Sequence, residues 1–255
     1  MGFILCYHLV RMRILRKLTI CAAIALFIIV SLFGLRPFNQ FIDADKTLVE
    51  EAGVYASEVI RLPDATYLVA VRTTMPKVRA DMVRWWLSDF LQTTEHYKWW
   101  HPKDHVWMDW ENKKPGEVIG ASHLVHEYIG EDLTKLRIQF VDSSEFFGFD
   151  ANDEDTFVIC ARVGLLDEET NIAKMCHVVR NMLNGAEMRS RFWLGHIAKR
   201  EGNKTIPSLM GFIGNTALMR LIVLNKQNAM DLGNHAEEEM KYLTEILPSL
   251  FKSKN

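Results

Sequence analysis

The alternation of apolar and polar positions divides this chain of 255 residues into an apolar run, a connector and a large mixed domain. The run from Leu18 to Leu35 carries no charge. As a helix rising about 1.5 Å per residue it would reach about 27 Å, close to a bilayer's hydrocarbon core of about 30 Å. Residues 36–60 read as a connector, with a short helix predicted near Lys46–Val54. Tyr67–Val71 has the pattern of a first strand. Thr74 offers an N-cap and Pro76 an early helical position, and Val78, Met82, Trp85, Trp86 and Phe90 then make one apolar helical stripe. From His105 to Leu194 the period shortens. Runs rich in β-branched and aromatic residues recur at His105–Trp110, Val118–Ile129, Lys135–Val141, Thr156–Val163, Ile172–Met182 and Glu187–Leu194. Lys114-Pro115-Gly116 and Asn184-Gly185 mark turns, the second a hairpin signal. Beyond Pro207 the pattern is helical again, with a break expected at Gly233 and an end at Pro248. This order predicts an α+β domain over residues 61–251, a curved antiparallel sheet with a long C-terminal helix on its concave face and space between them.

Composition and charge sharpen the picture. With 49% hydrophobic and 24% charged residues the chain is neither disordered nor a disulfide-dense miniprotein. Residues 1–40 contain Arg11, Arg13, Arg16, Lys17 and Arg36 but no acid, so the body has the acidic excess. An acidic body argues against a nucleic-acid-binding protein. Residues 1–17 form a basic flank that would stay cytoplasmic, with residues 18–35 a transmembrane signal-anchor or a signal peptide. No A-x-A pattern follows the run, which favours the anchor. The soluble domain is then expected on the non-cytoplasmic side, membrane-anchored, or periplasmic or secreted after cleavage. There Cys160 and Cys176, on two predicted strands, are able to pair, although two buried free thiols fit the sequence equally well.

Four polar clusters could carry chemistry. His235 and Glu239 are four apart, so a helix points both the same way, a common half of a metal site that also arises readily by chance. Tyr97 and the run from His101 through Asp104 to His105 lead from a helix into a strand, where regular alternation would group His105, Trp107 and Asp109. An aromatic packing corner explains that cluster as well. Alternation also groups His123, Val125 and Glu127, an awkward place for a carboxylate unless it has a partner. His177 shares a face with Met175 and Val179, as either a core or a ligand-facing imidazole. No Gly-rich phosphate loop, G-x-S-x-G elbow or H-E-x-x-H is present, which disfavours P-loop proteins, dinucleotide enzymes and elbow-type serine hydrolases.

Together these pieces resemble the diacetylphloroglucinol and phloretin hydrolase family. The resemblance rests on Trp85-Trp86, Tyr97, the Trp-His-Pro-Lys-Asp-His run ending at His105, Glu127 followed by Tyr-Ile-Gly130, His177 with the Arg-Ser-Arg-Phe-Trp run ending at Trp193, and His235 with Glu239, in order over residues 80–240. It implies a helix-grip fold like that of START-type lipid carriers. It also implies hydrolysis of the carbon–carbon bond between an acyl group and a phenolic ring, with one Zn2+ ion. Carried over by motif, the metal ligands are His105, Glu127, His235 and Glu239. Tyr97 and His177 are the catalytic and substrate-lining residues, and Phe192 lines the substrate pocket where the family is expected to have Tyr. His101 and Asp104 are expected to orient the ligands. The implied partner is a small aromatic or phenolic ketone, and the apolar run at residues 18–35 sets this chain apart from the soluble members. The alternative is a non-catalytic helix-grip module that binds an apolar or aromatic ligand near the membrane.

Overall fold

A computed structural model describes residues 16–26 and 57–254. Residues 16–26 are helical and exposed. Among the described residues no helix is long and apolar enough to cross a membrane. Half of the sequence-predicted span, residues 27–35, lies outside the described residues, as does the predicted helix near Lys46–Val54.

The main body is one antiparallel sheet. Its strands are β1 (Glu58–Arg61), β2 (Tyr67–Pro76), β3 (His105–Glu111), β4 (Ser122–Ile129), β5 (Asp132–Val141), β6 (Thr156–Leu165), β7 (Thr170–Met182), β8 (Gly185–Glu201) and β9 (Lys204–Ile206). They lie in the order β1-β2-β8-β7-β6-β5-β4-β3, with β9 paired to β8. Between β2 and β3 come α1 (Ala80–Trp85), a π-helical turn at Trp86–Phe90, and α2 (Thr94–Trp100). A short α3 (Ser144–Phe147) precedes β6, and α4 (Leu209–Gly214), α5 (Ala217–Val223) and α6 (Lys226–Lys252) close the chain.

Alternation along the strands builds two cores. On one face Val69, Val71, Val125, Ile159, Met175 and Val179 meet the α6 stripe of Ala229, Ala236, Met240, Leu243 and Leu247. That stripe repeats every three or four residues, as helix periodicity requires. The 27-residue helix is about 40 Å long and crosses the concave face, the helix-grip arrangement that the family resemblance implies. On the other face Leu68, Ala70, Val158, Cys160, Cys176, Val178 and Trp193 form a smaller cluster capped by Phe146. Cys160 and Cys176 are opposed across β6 and β7 and form a disulfide. Of the two readings open from sequence, the paired one holds.

Several boundaries differ from expectation. β2 runs through Pro76 because it pairs with β8 along its whole length, so Thr74 lies in a strand and caps no helix. β1, within the predicted connector, pairs with β2. Gly233 does not break α6: a Cβ there would stand 3.2 Å from Val69 Cγ1, so its small size admits a close approach of helix to sheet. Pro248 lies inside α6, where it removes one hydrogen bond near the helix end. The β7–β8 hairpin turns at Leu183 and Asn184, because Met182 already pairs with Gly185. Gly185 has φ +152°, and a Cβ there would lie 2.4 Å from the Met75 carbonyl oxygen.

Two outcomes follow. Replacing both Cys160 and Cys176 by Ala, which opens a loop of sequence separation 16, should lower stability in denaturant unfolding by about 3 kcal/mol. Unchanged midpoints would show that the cross-link adds nothing. Gly185→Ala should lower the melting temperature markedly, because the new methyl can be housed only by moving the β2 backbone.

Candidate metal centre and pocket

The site forms where β3, β4 and α6 converge. A β-bulge between His105 and Trp107 sets the geometry: His105 pairs with Glu127, whereas Trp107 already pairs with His126. Val106 is the extra residue, so His105 and Met108 are both buried while Asp109 is exposed. This corrects the regular alternation read from sequence, which grouped His105 with Trp107 and Asp109. β4 is regular, so His123, Val125 and Glu127 share one face as alternation predicts, and that face is the buried one. From α6, His235 and Glu239 project one turn apart on the buried stripe.

The four side chains converge. His105 Nε2 lies 3.9 Å from Glu127 Oε2 and 3.6 Å from Glu239 Oε2, and His235 Nε2 lies 4.0 Å from Glu127 Oε2. The donor atoms of His105, His235 and Glu239 all fall within 4.8 Å of one another. Ligand bonds of about 2.0–2.2 Å in a tetrahedral shell require donors about 3.3–3.6 Å apart, so only slight contraction is needed.

The surroundings fix each donor. His105 Nδ1 donates to the Tyr97 carbonyl at 2.8 Å, which leaves its Nε2 lone pair aimed at the carboxylates. The Tyr97 ring stacks on His105 with centroids 3.6 Å apart, and its hydroxyl donates to Glu127 Oε2. His235 Nδ1 faces Asp104 Oδ2 at 3.5 Å. His101 Nδ1 accepts from the Asp104 backbone N–H at 3.1 Å, and its ring stacks on His235. His101 Nε2 lies 3.5 Å from Asp104 Oδ2 and from Glu238 Oε2. His101, Asp104 and His235 thus form a second buried group with cation-holding spacing.

Burial makes this assembly costly without a cation. Desolvation pushes the Glu239 carboxyl up to about 8, with His235 opposing and Glu127 adding to the rise. Burial lowers His105 to about 4, keeping it neutral and able to offer its lone pair. His235 is raised overall: burial opposes its charge, but the carboxylates of Glu127, Glu239 and Asp104 outweigh it. Burial and then Glu127 hold the Tyr97 hydroxyl well above its usual range. His105 Nε2 and His235 Nε2 are buried without a hydrogen-bond partner. Unpaired buried nitrogens beside two carboxylates are the donor set a divalent cation satisfies.

The cluster ends a cavity of about 260 Å³ between α6 and the sheet. Its wall is mostly apolar, with Trp86, Phe140, Ile159, Met175, Met188 and Leu243 among the lining. Tyr97, His177 and Phe192, the residues that the resemblance assigns to a substrate pocket, are among the lining as well. His177 Nδ1 contacts Ser190 Oγ at 2.7 Å, and burial lowers the ring to about 4. Phe192 meets it edge-on at 5.7 Å. Sequence reasoning had no role for His123, which also lines the cavity, stacked on Trp110 and edge-on to Tyr97. Its place on the Glu127 face was the available signal.

An antiparallel sheet gripping one helix, with a buried two-His, two-Glu cluster at the end of an apolar cavity, defines a ligand-enclosing protein equipped for a cation. The family described as the DAPG hydrolase PhiG domain matches residues 38–252. The chain belongs to that family. It is 29% identical over 156 residues to the phloretin hydrolase of Eubacterium ramulus, covering 56% of this chain and 57% of that protein. The chain therefore spans little more than half the length of that relative. Among solved structures it overlaps Ara h 8.0201 at TM-score 0.43 and 10% identity, covering 72% of this chain and 99% of the other. The hypothetical protein jhp0584 of Helicobacter pylori overlaps at TM-score 0.41 and 9% identity, covering 78% and 99%. Overlaps of that size say nothing of activity.

The buried imidazoles give a pH signature. His123, His177 and His196 are depressed by burial to about 3, about 4 and about 3. Neutral in the fold but protonated at about pH 6.5 when unfolded, they contribute stability that is complete above that value and lost as pH falls toward 4. Each takes up one proton on unfolding, which costs up to about 1.4 kcal/mol per pH unit. Denaturant midpoints should fall between pH 6.5 and 4, and His177→Gln should flatten that slope. An equal slope in the variant would contradict the assignment.

Proposed function

We propose that this chain is a metal-dependent hydrolase that cleaves the carbon–carbon bond between an acyl group and a phenolic ring. The observation that carries this reading is the convergence of His105, Glu127, His235 and Glu239 at the end of an apolar cavity. Family membership and the phloretin hydrolase relative supply the substrate class, a phenolic ketone. A cavity of about 260 Å³ suits one aromatic ring with short acyl substituents.

His105, Glu127, His235 and Glu239 would hold the ion, for which zinc is our reading. Two carboxylates offset its charge, and it would supply Lewis acidity toward an acyl carbonyl and a water. Asp104 orients His235 through Nδ1, and Tyr97 orients both His105 and Glu127. In the overall reaction water oxygen ends on the acyl carbon, giving a carboxylic acid. The ring carbon keeps the electron pair of the broken bond and takes a proton. His177 is neutral and borders the cavity, and its Nδ1 is engaged by Ser190. We assign its remaining nitrogen to take a phenolic proton and return it to the acylated ring carbon; the bond then breaks from that keto form, the ring leaves as the phenolate, and the second proton of the water restores the phenol. The apolar wall excludes bulk water.

We further place the domain on the non-cytoplasmic side, tethered by the apolar run of residues 18–35. The Cys160–Cys176 disulfide supports this, because such bonds persist in oxidising compartments.

Elemental analysis of the purified full chain should find one divalent ion per molecule, lost in His235→Ala. A wild-type chain without stoichiometric metal would overturn the reading. Asp104→Asn should keep the ligands but weaken metal affinity about 10–100-fold. In an acylphenol panel, His177→Gln should lower kcat while leaving metal content unchanged. Full turnover by that variant would remove His177 from the chemistry.

A further inference from the structure

α4 and α5 are amphipathic the wrong way round. α4 turns Gly211 and Gly214 onto Ile197 of β8, where a Cβ at Gly214 would stand 2.9 Å from Ile197 Cγ1. Asn215 fixes the segment there, its amide donating to the Ile197 carbonyl at 2.7 Å and its Oδ1 accepting from Ile197 N–H at 3.0 Å. The large apolar side chains are left outside: Leu209, Met210 and Phe212 on α4, and Leu221, Ile222 and Val223 on α5 are 57–75% exposed. From Pro207 to Asn225 the sole ionisable side chain is Arg220. It points inward, to the Gly195 carbonyl at 2.9 Å and Asp64 Oδ2 at 3.0 Å. Exposed Lys204 and Lys226 flank the uncharged stretch. A contiguous apolar patch of this kind marks an interaction surface.

Two further observations indicate what covers it. Arg61, the last residue of β1, donates to the Leu224 carbonyl at 2.7 Å, so β1, the first strand of the domain, ends beside the end of α5. The preceding residues 36–57 span at most about 75 Å, which keeps the domain within reach of any surface that holds the apolar run ending at Leu35. The cavity opens on the same side. Among its lining residues Asp132 and Asn228 are exposed and Ile129, Leu194 and Leu232 half-buried. Leu194 precedes Gly195, whose Cβ position lies 2.6 Å from Leu224 Cδ1.

We propose that the exposed faces of α4 and α5 dock on a lipid bilayer, seating the cavity mouth against the membrane surface. Apolar side chains would enter the acyl region while Lys204 and Lys226 meet anionic headgroups, as in interfacial helices. An apolar ligand would then reach the cavity from the lipid phase. The uncharged surface and its flanking lysines, together with the tether proposed above for residues 18–35, on which this choice of occupant rests, favour lipid over a second copy of the chain. This proposal does not depend on the reaction above.

The full chain carrying Cys6→Ser and Cys21→Ser, with Ile222→Cys labelled by a polarity-sensitive fluorophore, provides the test. Leu183→Cys, at the other end of β8 and 98% exposed, is the reference. With phosphatidylcholine–phosphatidylglycerol vesicles bearing brominated acyl chains, the label at 222 should shift to the blue and be quenched. The label at 183 should do neither, and Phe212→Glu should abolish the response at 222. No response at 222, or equal responses at both positions, overturns the proposal. A blue shift that needs no lipid and grows with protein concentration assigns the surface to a second copy instead.

Discussion

The arrangement depends on how α6 seats in the sheet. Its stripe of Ala229, Ala236, Met240, Leu243 and Leu247 fixes both the depth and the rotation of the helix against β2, β4 and β7. His235 and Glu239 belong to that stripe, so the packing that stabilises the fold also delivers them to His105 and Glu127. Gly233 permits the close approach beside them. The polar cluster is therefore assembled by apolar contacts, and its desolvation is the cost of that seating. Buried carboxylates beside imidazole nitrogens are costly, and a cation or a shared proton is what offsets that cost.

Tyr97 shows how one residue organises two donors. Its carbonyl sets the tautomer of His105, its ring lies flat on that imidazole, and its hydroxyl engages Glu127. Asp104 does the corresponding work for His235. These supports come from α2 and the segment that joins it to β3, so a short stretch of chain positions donors from two strands and a helix.

Much of this was legible in the sequence. Alternation placed His123 and Glu127 together, helical spacing joined His235 to Glu239, and His177 fell on the face of Met175 and Val179. What escaped is tertiary in origin. The bulge at Val106 cannot be read from an apolar–polar pattern, because the extra residue is accommodated only when β4 is beside it. β2 continues through Thr74 and Pro76 because β8 supplies partners, overriding a capping signal that is sound in isolation. Gly233 read as a helix break because the need for a small side chain against Val69 is invisible along a single chain. The outward apolar faces of α4 and α5 have the periodicity of buried helices, and sequence alone cannot say which side is covered.

The Cys160–Cys176 bond lies directly behind the cavity floor: Cys176 precedes His177, and Ile159, opposite His177 in the ladder, precedes Cys160. The floor's stiffness is thus set by the redox history of the preparation. Material made in a reducing cytosol would hold this wall by ladder hydrogen bonds and the packing of Val158, Val178 and Trp193 without the cross-link. A softened wall in such a sample would report on its thiols before it said anything about the imidazoles and carboxylates at the far end.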